Sequence, residues 1–194
     1  CAGDDSTCNQ PIAYYQTVNV DEDSSIDILL QASDPNGDEL TFNLTSSPED
    51  GAVNAIAGSP EVVYTPNQDF NGTDSFSFTV TDGTWTSGVG LVTINVNAIN
   101  DAPVLTFIDN QNVDEDGSFY IALDAFDVDG DDLLFSVSVD GNADVSLAGN
   151  QLTITPNSNF NGDIQVQAEV TDGDLLDSQD FILTVNPVND APVL

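Results

Sequence analysis

Asp34-Pro35-Asn36-Gly37-Asp38-Glu39-Leu40-Thr41-Phe42 is a turn running straight into a strand. Asn36-Gly37 is a pair that tolerates positive φ. From Leu40 onward, Leu40, Phe42 and Leu44 alternate with polar residues, the period of a half-buried strand. The same pattern returns as Asp127-Val128-Asp129-Gly130-Asp131-Asp132-Leu133-Leu134-Phe135. A turn and strand that recur together in one chain point to an internal repeat.

The repeat extends in both directions. Val20-Asp21-Glu22-Asp23 returns as Val113-Asp114-Glu115-Asp116, and Thr65-Pro66-Asn67 as Thr155-Pro156-Asn157. Phe70-Asn71-Gly72 returns as Phe160-Asn161-Gly162, and Thr81-Asp82-Gly83 as Thr171-Asp172-Gly173. Asn100-Asp101-Ala102-Pro103-Val104-Leu105 is repeated unchanged as Asn189-Asp190-Ala191-Pro192-Val193-Leu194. The order is kept throughout, so small loop deletions account for the difference between the copies.

Each copy reads as all-β. Ile26, Ile28 and Leu30 alternate, as do Phe76, Phe78 and Val80 in the first copy; Leu133, Phe135, Val137 and Val139 do so in the second, with Ile164, Val166, Ala168 and Val170. No stretch carries a sustained helical apolar stripe. About seven short strands per roughly 90 residues, with Asn-Gly and Asp-Gly turns between them, predict two tandem immunoglobulin-like Greek-key β-sandwiches. The expected divisions are an N-terminal segment at 1–9, domains at 10–99 and 100–188, and a linker or first-strand start at 189–194.

The charge is extreme. The chain has no Lys, Arg or His and 34 Asp and Glu, for a formal charge of -34. Such a charge opposes compaction through self-repulsion. Yet hydrophobic residues make up 40% of the chain, with 10 Phe among them, which is too apolar for a disordered acidic tail. Without cations the chain is unsuited to nucleic acid or anionic lipid, and no apolar run reaches the roughly 18 residues of a membrane helix. High-salt adaptation would scatter carboxylates over the surface, whereas here the acidic stretches fall at matched positions of the repeat.

Asp34-x-Asn36-Gly37-Asp38 and Asp127-x-Asp129-Gly130-Asp131 set oxygens at alternate positions around a glycine turn. An EF-hand loop starts similarly but needs its Gly two places later and a bidentate Glu where Thr45 and Ser138 stand. Oxygen-only donors suit calcium. Magnesium dehydrates reluctantly, and zinc would want His or Cys, which these clusters lack.

The ordered set of motifs resembles cadherin repeats, and more closely the cadherin-like tandem repeats of bacterial surface proteins and adhesins. The resemblance covers roughly residues 9 to 194. It implies calcium at the junction of consecutive domains, held by Glu22 and Asp23 of the first copy, Asn100 and Asp101 of the linker, and Asp127, Asp129 and Asp172 of the second, with Asp131 of the repeated turn as a further candidate ligand. One or two ions per junction are expected, because the cadherin acidic pair before the sixth strand is represented by Asp69 in one copy and Asn159 in the other. Two half-sites remain: Asp34, Asn36, Asp38 and Asp82 at the start of copy one, and Glu115, Asp116, Asn189 and Asp190 at the end of copy two. Their complementarity implies adjacent repeats or further copies of the chain, head to tail, with Pro192-Val193-Leu194 as a docking strand.

The expected function is therefore that of a calcium-rigidified extracellular module, a spacer of a bacterial surface adhesin or a filament subunit, with a surface glycan or protein as a further partner. The alternative is a carbohydrate-binding module, with Trp85, Tyr14 and Tyr15 as a stacking face. Catalysis is not expected: triads lack His, and the carboxylate pairs recur symmetrically rather than in one cleft. Cys1 and Cys8 fit either a local disulfide of an oxidising exterior or a mature lipoprotein N-terminus at Cys1.

Overall fold

The structure, a computed structural model, describes residues 9–189; Cys1, Cys8 and Asp190 to Leu194 lie outside them. It divides into two compact units, Cys1–Ile99 and Asn100–Leu194. Among the described residues no helix is long and apolar enough to cross a membrane.

In unit 1 the strands are β1 (Ile12–Ala13), β2 (Gln16–Asp21), β3 (Ile26–Leu29), β4 (Ala32–Ser33), β5 (Thr41–Ser46), β6 (Gly51–Ala55), β7 (Glu61–Pro66), β8 (Gly72–Thr81) and β9 (Gly90–Asn97). Four of them form a sheet in the order β2-β9-β8-β5, three form β3-β7-β6, and β1 pairs with β4. All pairings are antiparallel except β2 with β9.

Unit 2 repeats this plan with β10 (Val104–Leu105), β11 (Gln111–Asp114), β12 (Phe119–Ala122), β13 (Ala125–Phe126), β14 (Leu134–Val139), β15 (Ala143–Ala148), β16 (Gln151–Pro156), β17 (Gly162–Thr171) and β18 (Leu176–Asn186). Its sheets are β11-β18-β17-β14 and β12-β16-β15, with β10 on β13.

Among the described residues each unit thus has nine strand segments where the alternation predicts about seven. The additional segments are the short β1–β4 and β10–β13 pairs. The first strand is split in two: β1 lies on β4, and the chain then crosses to run parallel to β9. Side chains hold the crossing where ladder bonds stop. Gln16 Oε1 accepts from Gln31 N (3.0 Å) in unit 1. In unit 2, Asp177 Oδ2 accepts from Leu105 N (2.9 Å) and Gln179 Oε1 from Ile108 N (3.0 Å).

The alternating residues face inward as their period demands. Phe76, Phe78, Val92 and Ile94 are fully buried in the core of unit 1, where Ile28, Val62 and Tyr64 of the other sheet join them. Leu152, Ile154, Ile164, Ala168, Phe181 and Leu183 do the same in unit 2. Burying a side chain of this kind stabilises by about 1.5–3 kcal/mol.

With these cores closed by strands, the acidic turns are left at strand ends. Gly37 and Gly130 both take positive φ (82° and 80°), the conformation for which Asn-Gly and Asp-Gly are suited. Asp23 and Asp116 also match, at φ 59° and 62°.

Candidate cation-binding site

The loop between β13 and β14 is organised by one carboxylate. Asp127 is only 7% exposed. Its Oδ1 accepts from the backbone N–H of Asp129 (2.9 Å), Gly130 (3.0 Å) and Asp131 (3.3 Å). Three amides converging on one oxygen coil the loop and aim the following carboxylates back toward Asp127. Asp127, Asp129 and Asp131 accordingly bring one oxygen each within 4.8 Å of one another. Asp127 Oδ2 is buried with no hydrogen-bond partner among the described residues. A buried anionic oxygen without a partner is costly, and a hard cation is the natural complement to such a group.

Residues at the start of unit 2 close onto the same loop. Asp101 N donates to Asp129 Oδ2 (2.8 Å), and Asn100 Nδ2 donates to Asp172 Oδ2 (2.9 Å). Asp172, between β17 and β18, also accepts from Asp174 N and Leu175 N at 2.7 Å each. The Leu175 and Asp174 amides, with Asn100, hold its carboxyl below the usual range. Asp131 moves the other way: lost hydration first, then the charges of Asp127, Asp129, Asp172 and Asp132, push its carboxyl up. Carboxylates crowded until one resists ionisation present a strongly negative site.

Unit 1 builds a matching loop between β4 and β5, with Asn36 where unit 2 has Asp129. Asp34 Oδ1 accepts from Asn36 N (2.9 Å) and Asp38 N (3.1 Å), and its Oδ2 is likewise buried without a partner among the described residues. Asn36 Nδ2 donates to Asp38 Oδ2 at 2.7 Å. Asp82 matches Asp172, accepting from Thr84 N and Trp85 N at 2.6 Å; the Trp85 and then the Thr84 amide lower its carboxyl.

Glu22 and Glu115 have a second employment. Both are buried. Glu22 Oε1 accepts from Ile99 N at 2.7 Å, and Glu115 Oε1 from Val188 N at 2.6 Å. The Glu22 N–H donates to Asn97 O, and that of Glu115 to Asn186 O. Each Glu therefore fastens the segment leaving the last strand of its own unit. Asp23 lies beside it and accepts weakly from Asp69 N (3.4 Å), while Asp116 occupies the matching turn. Asn189 is the last described residue, and Asp190 lies outside them.

Two acidic groups, Asp132 and Asp74, stand outside the ligand set expected from the sequence. Asp132 adds charge beside Asp131, although it stands within the repeated motif. Asp74 is a buried carboxylate in β8, and its signal was an acidic residue on the inward phase of Asp74, Phe76, Phe78 and Val80.

Two tandem immunoglobulin-like β-sandwiches with acidic oxygen-rich loops at their strand ends define a class of modular repeat proteins. The chain belongs to the bacterial Ig domain family, which matches residues 9–95 and 100–184. Its fold is also that of cadherin ectodomains. It is similar to the protocadherin GammaB4 extracellular domain (20% identity, TM-score 0.57, covering 96% of this chain and 34% of that one). It is also similar to human mucin-like protocadherin EC1-2 (20%, TM-score 0.55, 93% and 100%). A curated relative, integrin beta-like protein C of Dictyostelium discoideum, is 33% identical over 115 residues, 53% of this chain. The chain spans only 6% of that relative's length. Bacterial Ig and cadherin-like domains are typically extracellular and non-catalytic.

Proposed function

We propose that this chain is a calcium-stiffened structural segment of an extracellular bacterial surface protein, either a spacer of an adhesin or a repeat of a head-to-tail filament. The observation that supports this most is the buried oxygen of Asp127 that has no hydrogen-bond partner among the described residues, set among carboxylates in a loop that three backbone amides hold in shape. Calcium accepts six to eight oxygen ligands in flexible geometry, and carboxylates with backbone carbonyls and water can supply them. Asp129 and Asp172 also hold Asp101 and Asn100, so a cation here would stiffen the residues that begin unit 2. By its place in the sequence, Glu22 is proposed as a further ligand, and adjacent repeats or further copies of the chain as the partners.

Thermal unfolding in calcium against chelator, at fixed ionic strength with sodium and magnesium controls, tests the reading. Saturation at 100 times the dissociation constant adds about 2.7 kcal/mol per site. A calcium-specific rise in Tm that Asp127→Asn removes supports coordination. An equal rise with sodium would mean charge screening and would sink the proposal.

A further inference from the structure

Resting on the calcium reading above, we infer that the two matching loops are cation sites of different strength. The unit 2 loop loads first, and the unit 1 loop is held weak by Asn36 and loads only at higher calcium.

Both loops coil around an Asp whose Oδ1 takes backbone amides and whose Oδ2 is buried without a partner among the described residues. Both have an exposed glycine at positive φ with open space around it, although that glycine's N–H donates to Asp127 Oδ1 in unit 2 and to the Asp34 carbonyl oxygen in unit 1. The larger difference lies in charge.

Unit 2 places Asp129 where unit 1 places Asn36, and Asp174 where unit 1 places Thr84. Before the first proline, unit 2 has Asp101 where unit 1 has Asn9. Each difference puts a neutral side chain in unit 1 where unit 2 has a carboxylate. Asn36 also donates its amide N–H to Asp38 Oδ2 at 2.7 Å, engaging an oxygen that a cation would otherwise take. In unit 2 the oxygens of Asp127, Asp129 and Asp131 approach one another without an intervening donor side chain among them. Ligand charge count tunes the affinity of calcium loops over orders of magnitude, so neutral Asn36 in the middle of the loop is the residue that sets the difference.

The consequence is a graded module. At calcium levels that fill the unit 2 loop, the unit 1 loop remains open to exchange, and its ordering reports a second, higher concentration range. Trp85 lies in the turn with Asp82 in unit 1 and is the sole Trp of the chain, which makes its fluorescence a reporter for that copy alone.

Calorimetric titration of the full chain with calcium chloride, after removal of metal, tests this. The expected result is two classes of site separated by roughly tenfold or more in affinity. Asp129→Asn should move the strong class to the weak one, and Asn36→Asp should strengthen the weak class and bring the Trp85 response to lower calcium. Asp144→Asn, an exposed carboxylate on β15, should change neither. Unfolding in chelator checks that each near-isosteric variant is folded. A single class of site, or no effect of Asn36→Asp, would overturn the inference while leaving the calcium reading intact. No binding at all would sink both.

Discussion

Tyr64 donates its hydroxyl proton to Asp74 Oδ2 at 2.9 Å inside the core of unit 1. Asp74 also accepts from the backbone N–H of Glu49 (3.0 Å), Asp50 (3.1 Å) and Ser75 (2.7 Å). The carboxylate thus binds the β5–β6 turn to β8. The matching positions in unit 2 are Ile154 and Ile164, both fully buried. One copy closes its core with a satisfied polar pair and the other with two aliphatic side chains.

Asp74→Ala should destabilise unit 1 by about 3 kcal/mol, because it strands the Tyr64 hydroxyl and three amides. Tyr64→Phe should cost about 1–2 kcal/mol. The losses should fall short of additive when combined, since both substitutions break one contact. Denaturant unfolding followed by Trp85 fluorescence, which reports only unit 1, measures this. Additive losses would show that the pair is not coupled.

Gly51 is bound to the same pair by shape. A Cβ there would lie 2.5 Å from the Tyr64 ring. Gly51 faces Pro66 across β6 and β7, and in unit 2 the residue facing Pro156 is Ala143, opposite a smaller side chain in place of tyrosine. Gly51→Ala should cost about 1–3 kcal/mol through overpacking, and most of that should vanish in the Tyr64→Ile background. An equal cost in both backgrounds would refute the steric account.

Burial first, then the hydrogen bond to Asp74 and the Asp74 and Asp50 charges, push the Tyr64 hydroxyl far above the ordinary tyrosine value. Its folded-state pKa exceeds the unfolded one, so the associated stability is complete below about pH 10. It is lost as pH rises from there toward the folded value. Unit 1 should therefore weaken in alkali more than its Tyr64→Phe variant does, and spectrophotometric titration should find one tyrosine that ionises only on unfolding.

The loop carboxyls should titrate apart. Asp82 and Asp172 lie low because backbone amides stabilise their anions. Their contribution is present above the unfolded carboxyl pKa and is lost as pH falls through the lowered folded values. Asp131 lies high and opposes them, being favourable only in acid. Carboxyl titration by nuclear magnetic resonance should place Asp131 above Asp172, and calcium should pull Asp131 down. An Asp131 titration indifferent to calcium would remove it from the ligand set.

Glu22→Gln should keep packing but weaken the charge-assisted bond to Ile99 N. Protease cleavage within residues 98–102 should speed up severalfold, and Glu115→Gln should leave that rate unchanged. Equal rates for both variants would show that Glu22 does not tether this segment.

Much of this was legible in the residues. The two-fold alternation of Phe76, Phe78 and Val80, and its return as Val166, Ala168 and Val170, determined strands, faces and copy number, because side chains on a pleated strand must alternate. The Asp-x-Asn/Asp-Gly-Asp turns marked the candidate ligands, because in both copies they set oxygen side chains at alternate positions around a glycine turn. Other features depended on long-range packing. The split first strand arises where β2 meets β9, distant in sequence. The carboxylates of Glu22 and Glu115 turned toward linker amides that no local spacing announces. Asp74 became a core residue only because Tyr64 and a turn converge on it. Local pattern encodes what neighbours along the chain do to one another; which oxygens end up buried, paired or partnerless is decided by groups brought together only when the sheets close.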